Sequence, residues 1–169
     1  MLSVLTVLLF GLWTPDLPRA DLEARYLQAP SDLRTVEPWR LHVRDSGPRQ
    51  APVVVLLHGF GASLQTWDAW ARGLSETHRV IRLDFPGSGL SPPDPEHDYT
   101  DARSLQLLRS LLDELGVSSA TLVGHSMGGL VSLVYAATYP GRVKKIVIID
   151  STLVATPDRV LALHQVGGR

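Results

Sequence analysis

The chain has 169 residues, a formal net charge of −1, 44% hydrophobic and 20% charged residues, a composition suited to one globular domain with a real core. Near-neutral charge, without a basic stripe or a platform of stacking aromatics, excludes an electrostatic nucleic-acid binder. Cysteine is absent, which removes disulfides and thiolate zinc sites; no histidine or carboxylate cluster has metal-ligand spacing, so no metal is implied.

In chain order, residues 1–13 come first: Leu2 to Trp13 is apolar apart from Ser3, Thr6 and Gly11, and reads as an anchor or signal segment. It is shorter than the roughly 20 residues of a spanning helix, has no basic residue before it and no small-x-small cleavage site after it. A start codon placed too late would explain both features. Membrane anchoring or export is therefore expected, with a cleaved signal or a soluble element packed on the core as the alternatives, the last leaving the chain cytoplasmic. Residues 14–38, rich in proline and charge, are expected to be a linker.

Residues 39–169 are expected to form the folded core. Arg40 to Arg44 alternates as an edge strand does, and Asp45-Ser46-Gly47-Pro48 makes the turn after it. Val53 to Leu57 is a continuous apolar, β-branched run, the pattern of a strand buried on both faces. Leu64 to Leu74 reads as a helix with Trp67, Trp70 and Leu74 on its apolar face, and these tryptophans are expected in the core. Val80 to Leu83 is the next strand. Pro92, Pro93 and Pro95 suspend regular structure until Tyr99, after which Leu105, Leu108, Leu111, Leu112 and Leu115 form the stripe of a helix ended by Gly116. Ala120 to Val123 is a strand, Leu130 to Tyr139 a helix stopped by Pro140, and Val143 to Ile149 the last strand, ending in Asp150. Alternation of this kind predicts an α/β fold: a mostly parallel sheet with helices on both faces, and a ligand site at the carboxyl ends of its strands.

Gly124-His125-Ser126-Met127-Gly128 lies between such a strand and such a helix, the context of a nucleophile elbow. Ser126 is the candidate nucleophile, and the glycines two positions either side let the chain turn sharply without a Cβ clash. Acyl transfer also needs two backbone N–H groups aimed at the oxyanion, one from the residue after the nucleophile and one from the loop after an earlier strand. Met127 and Phe60, the latter in His58-Gly59-Phe60-Gly61 after the Val53 to Leu57 strand, are the natural pair. Gly59-x-Gly61 lacks the third glycine of a dinucleotide-binding fingerprint.

With Arg82-Leu83-Asp84-Phe85-Pro86-Gly87-Ser88-Gly89-Leu90-Ser91 added to these two motifs, the chain from about Trp39 to Asp150 resembles the N-terminal portion of an α/β-hydrolase of the large esterase-like superfamily. The resemblance implies a serine hydrolase acting on an ester-like or activated acyl carbonyl of a small-molecule substrate through an acyl-enzyme, with no cofactor. It implies a triad in the order Ser, Asp or Glu, His. Asp150 is a candidate acid, although its place suits an aspartate that caps the turn through Ser151 and Thr152 better. His164 is the one histidine after Ser126, in a segment that reads as a helix and suits a surface position better than a triad base. His125 should point away from the neighbouring hydroxyl, and His58 belongs to the oxyanion loop. Compared with a complete family member the chain looks truncated before the cap and the last strands. Serine at the elbow, where dehalogenases and epoxide hydrolases of this fold carry aspartate, argues against those chemistries. Carbon–carbon bond hydrolases of the same fold, and a catalytically dead binding module lacking the base, are the alternatives.

Overall fold

A computed structural model describes residues 17–151. In chain order its elements are α1 (Arg19–Tyr26), β1 (Leu33–Val36), β2 (Trp39–Ser46), β3 (Val53–Leu57), a 3₁₀ turn (Leu64–Trp67) running into α2 (Asp68–Leu74), β4 (Arg79–Leu83), α3 (Asp101–Glu114), β5 (Ala120–His125), α4 (Met127–Thr138) and β6 (Val143–Ile149). The strands form a 6-stranded sheet in the order β1-β2-β4-β3-β5-β6. β3 pairs in parallel with β4 and β5, and β5 with β6, whereas β1 and β2 are antiparallel to their neighbours. The expected mostly parallel α/β sheet is present.

Successive side chains on a strand face opposite ways, and β3 shows both layers. Val55 and Leu57 enter the larger core with Leu107, Leu108, Leu111 and Leu112 of α3 and Val131 and Tyr135 of α4. Val54 and Leu56 enter the second core with Trp67 and with Ala71 of α2. Helices therefore cover both faces. α3 starts where the Thr100 hydroxyl accepts the Arg103 N–H at 3.2 Å, and ends where Gly116 adopts φ 66 and the Val117 N–H closes back on the Leu112 carbonyl at 2.8 Å, a glycine-terminated C-cap.

Two expectations are corrected. The segment 14–38, expected to be a linker, contains α1 and β1. Proline and charge dominate its composition, but Val36 is buried and β1 pairs with β2 from Leu33↔His42 to Val36↔Trp39. α1 buries no residue; polar ties hold it, Arg19 Nη2 to the Leu90 carbonyl at 2.9 Å and Arg44 Nη2 to the Tyr26 carbonyl at 2.7 Å. Trp70, expected in the core, is 47% exposed. The apolar face runs through Trp67, Ala71 and Leu74, the i, i+4, i+7 positions, which leaves Trp70 on its flank, edge-on to Trp67 at 5.6 Å.

Among the described residues no helix is long and apolar enough to cross a membrane. Residues 1–13, read as an anchor or signal, lie outside the described residues, as does His164.

Candidate active site

The site lies where β3 and β5 end side by side, Leu57 opposite Gly124. β5 runs to His125, α4 starts at Met127, and Ser126 between them has φ 51 and ψ −117. That backbone is costly for a residue with a Cβ and persists only where the surroundings over-determine it. Here they do. The Ser126 N–H donates to the Ile149 carbonyl of β6 at 3.0 Å, while its carbonyl accepts from the Gly129 and Leu130 N–H groups at 3.0 and 3.2 Å and from the Ser151 hydroxyl at 2.8 Å.

The flanking glycines avoid the Cβ clash expected of them, through close packing and not through their own backbone angles. Neither Gly124 nor Gly128 has a positive φ; the turn's left-handed residue is Ser126 itself. A Cβ on Gly128 would stand 2.3 Å from the Leu57 carbonyl oxygen, and one on Gly124 2.2 Å from the Gly128 oxygen. Their lack of a side chain is what allows α4 to start against the end of β3.

The loop after β3 is pressed onto the same corner. A Cβ on Gly59 would lie 2.8 Å from Nδ1 of His125 and 3.1 Å from the Ser126 Cβ, so the His125 ring packs against this loop, with Nδ1 buried and unpartnered. His58 is fully buried and its tautomer follows from its neighbours. The Phe85 N–H points at Nε2 at 3.1 Å, making that nitrogen the acceptor. Nδ1 then carries the proton and donates to the Gly59 carbonyl at 2.7 Å. Burial pushes the His58 pKa below its ordinary 6.5, against the Gly59 bond and the charge of Asp84, which favour the cation. With the Gly59 carbonyl drawn to His58, the N–H of the same planar peptide unit, that of Phe60, is directed the other way.

Phe60 is 90% exposed, and Phe60 and Met127 line one cavity of about 470 Å³, with Phe85, Pro86, Tyr99 and Leu107 among its apolar walls. The cavity is at the N-terminus of α4, where unpaired N–H groups and the helix dipole favour negative charge. Asp84, fully buried next to Phe85 in the chain, ties the surrounding loops: its carboxylate accepts the Leu64 and Leu90 N–H groups at 2.6 and 2.9 Å and contacts His42 Nδ1 at 2.7 Å. A Cβ on Gly89 (φ +50) would fall 2.1 Å from that carboxylate. Asp94 anchors the proline-rich segment by accepting from Trp39 Nε1 at 2.6 Å and Arg103 Nε at 2.9 Å. Burial opposes its ionisation, but these bonds and two backbone N–H groups outweigh it and hold the carboxyl far below the usual range.

Asp150 follows β6 with φ 47, one residue from each of the two groups that bracket Ser126. Among the described residues no cluster of three or more His, Cys, Asp or Glu could hold a metal ion. The ties made by His58, Ile149 and Ser151 have no local signal in the sequence. Each joins residues that only the completed sheet brings together, except the His58 bond to Gly59, which an aromatic nitrogen one residue away could have suggested.

Comparison with known proteins agrees with this geometry. A family model described as alpha/beta hydrolase fold matches residues 52–166. Mouse epoxide hydrolase 4 is 32% identical over 112 residues, 66% of this chain and 31% of that protein. A cis-3-alkyl-4-alkyloxetan-2-one decarboxylase of Shewanella oneidensis is 37% identical over 126 residues, 70% of this chain and 38% of the relative. Among solved structures, a carboxylesterase of the thaumarchaeon Nitrososphaera gargenis superposes with TM-score 0.67 at 28% identity, covering 82% of this chain and 50% of the other. The enol-lactonase of Burkholderia xenovorans gives 0.62 at 33% identity, with 67% and 44% covered. The chain thus spans between 31% and 50% of the length of these relatives. With the matched region covering more than half of its 169 residues, the chain belongs to the alpha/beta hydrolase fold family.

Proposed function

We propose that this chain carries the nucleophile and the oxyanion donors of a serine hydrolase acting on an ester-like or activated acyl carbonyl. Ser126 Oγ attacks the carbonyl carbon, and the Phe60 and Met127 N–H groups bind the resulting oxyanion before the leaving group departs and an acyl-enzyme remains. The observation that carries this reading is the left-handed Ser126 backbone at the start of α4, held by the Ile149 carbonyl at the end of β6 and by the Ser151 hydroxyl just after it. Strain of this kind at a strand–helix corner suits a hydroxyl presented to a ligand. Ester and lactone chemistry in two structural relatives, a carboxylesterase and an enol-lactonase, supports it. Asp150 is the candidate acid, at the end of a strand beside the elbow.

A fluorophosphonate probe with peptide mapping by mass spectrometry tests the assignment. The adduct is expected on Ser126, and absent from Ser126→Ala, in any polypeptide that combines this segment with a histidine base. The 169-residue chain alone is expected to label about a thousandfold more slowly, since a serine without its base keeps only the oxyanion and binding contributions. Labelling undiminished in Ser126→Ala, or mapped elsewhere, overturns it. Rapid labelling of Ser126 in the chain alone would identify His164 or another residue within it as the base.

A further inference from the structure

The cavity in front of Met127 has walls of two chemical kinds. Phe60, Phe85, Pro86, Tyr99, Leu107 and Met127 make most of it apolar, and its volume of about 470 Å³ is within the roughly 300–1,000 Å³ of small-molecule sites. Phe60 and Tyr99 expose their rings, at 90% and 59%, offering faces for an apolar or aromatic group. Asp98 and Arg103 supply the charge on its lining. The two are not equivalent. Arg103 is committed: its guanidinium bonds Asp94 at 2.9 Å, lies 3.3 Å from Glu96 and stacks on the Trp39 ring at 4.6 Å. Asp98 forms no salt bridge among the described residues. Its carboxylate accepts the Thr100 N–H at 2.9 Å, and bonds from Thr100 hold its pKa below the usual value. The Arg103 charge also acts on Asp98, but one guanidinium faces Asp94, Glu96 and Asp98, so the excess charge that this lining offers a ligand is negative.

Resting on the hydrolytic reading above, we propose that the cavity takes the acyl side of the substrate as an uncharged or amine-bearing apolar group, and that Asp98 excludes acyl groups ending in a carboxylate. A carboxylate brought to within about 6 Å of Asp98 at a partly solvated surface meets a repulsion worth on the order of tenfold in affinity, and a protonated amine a comparable attraction. Asp98 is then a specificity-determining residue with no part in bond making.

Three ketones that share one aryl frame, differ in charge at the para position and cannot be hydrolysed test selectivity apart from turnover: 4-methylacetophenone, 4-acetylbenzoate and 4-(aminomethyl)acetophenone. Dissociation constants are measured by NMR titration at pH 8 on the 169-residue chain and on Ser126→Ala. The neutral ketone is expected to bind about tenfold tighter than 4-acetylbenzoate, and the amine at least as tightly as the neutral ketone, in both proteins. Asp98→Asn should close the gap with an unchanged circular dichroism spectrum, and in the unmodified chain the gap should narrow as salt rises. Equal affinities, a gap that survives Asp98→Asn, or no binding of any of the three at millimolar concentration overturns the proposal. Fluorophosphonate labelling, in a polypeptide that combines this segment with a histidine base, reports independently on Ser126: selective ketone binding without such labelling retains the pocket and removes the hydrolase, whereas labelling with unselective binding does the reverse.

Discussion

His58 is the residue whose protonation state has most to do with the candidate site, although no bond to substrate is assigned to it. A second proton on Nε2 would set a donor against the Phe85 N–H and put a charge in a fully buried position. Because its folded pKa is depressed below 6.5, His58 contributes stability that is present above about pH 6.5 and is lost as pH falls toward the folded value. For one group the slope cannot exceed about 1.4 kcal/mol per pH unit. Urea unfolding at pH 7.5, 6.5 and 5.5 is expected to show stability declining on the acid side, and His58→Gln should remove part of that decline. A profile unchanged by the substitution would mean that His58 is not the titrating group. The same residue shows why the sequence yields only some of the site. Ser126, Met127 and Phe60 are legible as candidates because their motifs flank apolar strands, whereas the partner of His58 Nε2 is a backbone N–H beyond β4, invisible until β3 and β4 lie side by side.

The helix α3 is the element on which the larger core depends. Leu107, Leu108, Leu111 and Leu112 are each at most 1% exposed, and they meet Val55, Leu57, Ile81 and Leu83 on the sheet. Leu111→Ala is expected to cost about 2–5 kcal/mol of unfolding free energy, through lost burial and the cavity left behind. Gln106→Ala, on the exposed side of the same helix, should stay within about 0.5 kcal/mol. Chemical denaturation of the two variants checks this, and equal losses would show that α3 does not face the sheet as described. Elements of this kind are legible in the sequence because leucines at helical spacing and β-branched runs carry their own period. α1 and β1 are not. α1 has no buried side chain to print a stripe, and β1 is only Leu33–Val36, too short for alternation to stand out from proline-rich surroundings. The displaced face of α2 has a related cause: with Ala71 as its inward residue, the larger Trp70 drew the period toward itself.

At the scale of the whole molecule the sheet is covered unevenly. β3 and β4 are buried, but β6 pairs only with β5 among the described residues, and Ile146 and Val147 are 36% and 43% exposed. An uncovered apolar edge is a template for another strand. The 169-residue chain is expected to self-associate as its concentration rises, and Val147→Lys to reduce this, both read by sedimentation velocity; a monomer persisting across the micromolar range would count against it. β6 also carries a temporal consequence. The carbonyl of Ile149 and the hydroxyl of Ser151 clamp Ser126 from later in the chain, the second of them 25 residues on. During synthesis the strand leading to the serine therefore emerges well before its clamp, and the Ser126 corner can be set only once the following strand has left the ribosome and zipped alongside. Translation itself imposes the sequence of assembly: scaffold first, strained corner last.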